Sequence, residues 1–128
     1  MNHGFGTRIF YGGLGGWDHH SDQGGIAGSQ AALLALVDQA IGAFETDAKL
    51  NGWWDKLTIC IFTEFGRKTF ENGSAGTDHG WGSSMVVLGG GVNGGIKGPE
   101  ITAEDFQDEW LTQHIDFRNP FSLSLIHI

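Results

Sequence analysis

With 128 residues, 40% of them apolar and 17% charged, the chain has the composition of one globular domain, short for a multi-layer enzyme. No apolar run approaches the roughly 18 residues of a membrane span, and a net charge of −8 without a basic stripe argues against nucleic acid as a partner. The single cysteine, Cys60, excludes an internal disulfide.

The first predicted element is a short strand, Arg8–Tyr11, followed by the glycine-rich run Gly12–Gly16 and the polar cluster Trp17-Asp18-His19-His20-Ser21-Asp22-Gln23. From Ser29 to about Leu50, apolar residues at Leu33, Leu36, Val37, Ala40, Ile41 and Phe44 share one face at helical spacing. Ser29 is the expected N-cap and Asn51-Gly52 the expected stop. Trp53 and Trp54 read as packing beneath the helix end. Leu57–Phe62 follows as a buried strand with Cys60 at its centre, and Ser84–Leu88 as another. Strand, helix and strand at this spacing predict a right-handed parallel βαβ unit. Gly89–Gly98 reads as a glycine-rich turn. Thr102–Asp105 then opens a second helix with Phe106 and Trp110 on one face, and Asp116 with Arg118 forms an ion pair at a helix boundary.

Three clusters each follow a predicted strand, on the rim where open α/β sheets place their ligands. Asp18, His19, His20 and Asp22 offer a carboxylate beside imidazoles, a donor set suited to zinc or manganese. The bland alternative is a loop Asx turn with exposed histidines. Glu64 reads as a ligand or general base, and Arg67 as a bidentate clamp for an oxyanion; an internal salt bridge explains the same pair. Asp78 and His79 lie between Gly76 and Gly80, where a turn can aim both at one ion or let Asp78 orient a ligating histidine. The Gly-Gly-Leu-Gly-Gly loop is no dinucleotide fingerprint, because a polar cluster follows it where a helix would have to begin.

Taken in order, Gly16-Trp17-Asp18-His19-His20 with Gln23, Thr63-Glu64-Phe65-Gly66-Arg67, Asn72-Gly73, Gly76-Thr77-Asp78-His79-Gly80 and Asp116-Phe117-Arg118 resemble the bacterial domain-of-unknown-function 1501 family. The resemblance covers roughly residues 8 to 120. It implies a branch of the alkaline phosphatase and sulfatase superfamily: an α/β fold with a doubly wound, mainly parallel sheet, flanking helices and divalent metals at the strand ends. It further implies Asp18 and His20 as ligands, Glu64 in the place of a ligating Asp, and Asp78 or His79 completing the site. Which of His19 and His20 binds stays open.

The resemblance also implies export, to the periplasm or cell surface, and a parent several times longer. The nucleophilic Ser or Thr of the superfamily has no counterpart here. Residues 1–122 are therefore expected to be a C-terminal fragment of such a domain, itself inactive. Residues 123–128 (Leu-Ser-Leu-Ile-His-Ile) match what a sequencing-adapter end encodes and are expected to be an adapter-derived tail. The expected function is part of a metal-dependent hydrolase of small anionic phosphate or sulfate esters. Its rival is an exported, non-catalytic, metal-stabilised binding or surface-assembly module.

Overall fold

In the computed structural model, residues 6–106 and 108–126 are described, with side chains to residue 122. Of the 123–128 tail, residues 127 and 128 and all the side chains lie outside the described residues. The longest element is α1, Ser29–Leu50. Its start is one residue earlier than expected: Gly28 is the N-cap, in extended conformation, and Ser29 is already helical with no side-chain cap. Its end is as expected. Asn51 Nδ2 donates to the Asp47 carbonyl at 2.8 Å, and Gly52 turns the chain at φ +69°, a conformation glycine adopts without strain. Phe44 meets Trp53 edge-on, 5.2 Å between ring centroids.

A 3₁₀ turn at Trp54–Lys56 leads into β1 (Ile59–Ile61). β2 (Gly66–Arg67) and β3 (His79–Gly80) form a short ribbon, and β4 (Val86–Leu88) returns to β1. The fold is of a mixed α/β kind, but both sheets have two strands and both are antiparallel. This corrects the expected parallel, doubly wound order. Between Ile61 and Val86 the chain makes a ribbon rather than a helical crossover, so β4 arrives running opposite to β1, Ile59 facing Leu88 and Ile61 facing Val86. Arg8–Tyr11 is not a strand and joins no ladder; Ile9, Phe10 and Tyr11 are 67–88% exposed. The βαβ unit therefore does not form among the described residues.

The expected second helix is a single 3₁₀ turn, Ala103–Phe106. Asp105, 6% exposed, accepts from the Thr102 backbone N–H at 2.7 Å and from His114 Nε2 at 2.6 Å. The second α-helix, α2, begins later at Arg118 and runs to Ile126. Asp116 Oδ1 accepts from the Arg118 backbone N–H while the guanidinium grips both carboxylate oxygens, the ion pair expected at a helix boundary. Among the described residues Ala48 is the one fully buried hydrophobe. Cys60 sits half-buried in β1, its thiol pushed up by that burial.

Candidate metal centre

Two loops and the β2–β3 ribbon build the site. Backbone bonds zip the 19–23 loop to residues 74–77: Thr77 N–H to the His19 carbonyl at 3.1 Å, Asp22 N–H to Ser74 at 3.0 Å, Gln23 N–H to Ala75 at 2.9 Å. The approach is so close that a Cβ at Gly76 would strike the His20 carbonyl carbon. A side chain at that position would part the loops.

In the ribbon, Arg67 stands directly opposite His79. Cross-strand partners share a face, and this face looks at Asp18. The Asp18 Oδ1, His20 Nε2 and His79 Nε2 atoms form a near-equilateral triangle with edges of 2.9 Å (Asp18–His79), 3.0 Å (His20–His79) and 3.1 Å (Asp18–His20). Their side chains are 54%, 48% and 48% exposed.

Hydrogen atoms satisfy at most two of these edges. Each ring nitrogen carries one hydrogen or one lone pair, and the carboxylate carries none. A cation between the three atoms satisfies all of them. Donors about 2.1 Å from one ion stand about 3.0 Å apart at about 90° and about 3.4 Å apart in a tetrahedron. The observed edges bring the three atoms as close as donors around one ion stand.

Neighbouring groups orient each donor. Arg67 donates from Nη2 to Asp18 Oδ1 at 2.6 Å and to the Trp17 carbonyl at 2.9 Å, and from Nη1 to the Thr77 carbonyl at 2.6 Å. These contacts give the guanidinium a positioning task, ahead of the anion-binding one suggested by sequence. Phe65 stacks on His79 at 3.6 Å between ring centroids. Asp78 Oδ1 lies 3.3 Å from His20 Nδ1, behind the ring rather than in the triangle. A hydrogen on Nδ1 held there leaves the Nε2 lone pair facing the other donors. The bond to His79, then that to Arg67 and the charge of the His20 ring, hold the Asp18 carboxyl below the usual range. Asn72 and then His20 do the same for Asp78.

Of the residues singled out by sequence, Asp18, His20 and His79 come together, Asp78 backs His20, and Arg67 braces Asp18. Of the two adjacent histidines, His20 is the one in the triangle. His19 is not part of it, and its Nδ1 is buried without a hydrogen-bond partner among the described residues. Glu64 is not brought in. It is exposed, on the bend before β2, and makes no hydrogen bond or ion pair among the described residues. Phe65 and Arg67 both reach the site, whereas Glu64, on the bend ahead of them, is exposed. Sequence reasoning gave no role to Asn72, whose side chain joins the two loops. The cue was an Asn-Gly pair, a turn signal that does not disclose a distant partner.

Residues 3–103 match the family described as "Protein of unknown function (DUF1501)". The chain belongs to this family. The triangle, Arg67, Asn72 and Asp78 all fall inside the span matched to DUF1501, whereas His114 and the Asp116–Arg118 pair lie beyond it. No curated protein and no solved structure matches the chain. No helix among the described residues is long and apolar enough to cross a membrane.

Proposed function

We propose that this chain supplies a metal-holding part of a metal-dependent hydrolase acting on small phosphate or sulfate esters. The observation that carries the reading is the Asp18–His20–His79 triangle: three convergent donors, each about half exposed. A metal kept only for stability is closed over by four protein ligands, whereas a catalytic one keeps positions open for water or substrate. Three open donors therefore favour the hydrolase over the non-catalytic module.

Zinc or manganese in this place would supply Lewis acidity toward an ester oxygen. The residues do the rest. Asp18, His20 and His79 hold the ion, Arg67 keeps the Asp18 oxygen aimed, and Asp78 fixes the His20 ring. On the sequence resemblance alone, the proposal extends to membership of the alkaline phosphatase and sulfatase superfamily and to export of the parent protein to the periplasm or cell surface.

The test uses the full-length protein with Asp18→Ala and His79→Ala variants. Metal content and turnover of phosphate and sulfate monoesters are measured together. The expected result is bound metal and turnover in the wild type, and loss of both in each variant. Metal without turnover of either ester class would favour the non-catalytic module. Unchanged metal content in both variants would overturn the site.

A further inference from the structure

We propose that Asn72 is a positioning residue for the metal centre, acting on His20 through Asp78; this rests on the metal reading above. Asn72 is half-buried and its side-chain amide is saturated. Its Oδ1 accepts from the Ser74 and Gly76 backbone N–H groups, at 2.9 and 3.1 Å. Its Nδ2 donates to the His20 carbonyl at 2.9 Å and to Asp78 Oδ1 at 3.0 Å. Donors face one end and acceptors the other, so chemistry fixes the orientation of the amide.

The two ends have separable tasks. The oxygen builds the 72–76 turn that places Gly76 against His20. The nitrogen ties the backbone of one donor to the carboxylate behind that donor's ring. Asp78 Oδ1 thus lies between Asn72 Nδ2 and His20 Nδ1, 3.3 Å from the latter. Without Asn72 the carboxylate is free to swing from the ring, and Nε2 loses its fixed direction. Groups that orient a ligand in this way are worth about 10–100-fold in metal affinity.

Asn72→Asp keeps the acceptor for the turn but can donate neither to the His20 carbonyl nor to Asp78, and the Asp78→Asn background isolates the second of these. Zn²⁺ and Mn²⁺ are titrated separately into the full-length protein as wild type, N72D, D78N, the N72D/D78N double variant and H79A. Thermal unfolding of the chelated, metal-free forms is followed in parallel. The expected result is an affinity loss of about 10–100-fold in N72D, a similar loss in D78N, and little further loss in the double variant. Metal-free N72D loses both Nδ2 bonds, so its unfolding midpoint should fall, and affinities are compared well below that midpoint, where both proteins are folded. Wild-type affinity in N72D, with affinity lost in H79A, sinks this proposal while the metal reading stands. Equal N72D losses with and without Asp78 also overturn it, because Asn72 would then act by another route. Unchanged binding in H79A removes the metal reading, and this proposal with it.

Discussion

Residues 17–23 and 66–80 are joined by backbone bonds, by the Arg67 guanidinium on Trp17 and Asp18 and by the Asn72 amide on His20, at 2.6–3.1 Å. Helix α1 is the longest element of the fold, yet it buries only Ala48 and leaves Leu34, Leu36 and Leu50 at 55%, 53% and 82% exposure. The contrast shows that the order of the site does not derive from a hydrophobic core beneath it. Directional polar bonds hold the donor atoms in register. The helix holds its shape through its own backbone ladder, with Leu33, Val37 and Ile41 partly covered.

Three experiments press on that contrast. The largest effect is expected from Arg67→Ala, which removes three hydrogen bonds from a charged donor group to the two loops. At about 1.5–3 kcal/mol for a single bond of this kind, and without full additivity, a loss of about 3 kcal/mol is expected in urea unfolding. Arg67→Lys should recover less than half of it, because one ammonium cannot span the same fork of acceptors. A cost below about 1 kcal/mol for Arg67→Ala would show that the polar lattice is not what holds the site.

An intermediate effect is expected at Asp105. Its carboxyl is held below its ordinary value of 3.8 by the Thr102 backbone N–H and then by His114. A depressed carboxyl stabilises the fold fully above its unfolded value and loses that contribution as pH falls through the lower folded value. The difference in unfolding midpoint between wild type and Asp105→Asn should therefore narrow as pH drops from about 5 to about 2. A difference that stays constant over that range would remove the ionised Asp105 from the account of the 102–114 turn.

The smallest effect is expected on α1. Leu34→Ser and Leu36→Ser, at exposed positions, should change stability by no more than about 0.5 kcal/mol. A loss of several kcal/mol in the full-length protein would mean that another surface covers this face, and would bring the two regions closer together in kind.

Sequence was most informative where structure is local. The 3.6-residue spacing from Leu33 to Phe44 and the Asn51-Gly52 stop located α1 to within a residue at either end. Leu57–Phe62 and Ser84–Leu88 contain the observed strands, but three apolar residues carry no direction, so the antiparallel pairing was hidden. Arg8–Tyr11 has strand composition and pairs with no strand among the described residues. In the site, Asp18, His20 and His79 were legible as donor types beside glycines. The exclusion of Glu64 was not, because it lies on the bend that precedes β2. Asn72 was equally hidden: its meaning lies in partners 52 and 6 residues away.

The triangle has one more consequence, for topology. His20 and His79 are 59 residues apart in sequence, and α1, β1 and β2 all lie between them. An ion shared by the two rings would close that long loop in the folded chain, and because it would bind the folded chain and not the unfolded one, its binding free energy would add to the stability of everything the loop encloses. Stripping the metal would then loosen the tether around the helix and the strands, not merely remove a reactive centre.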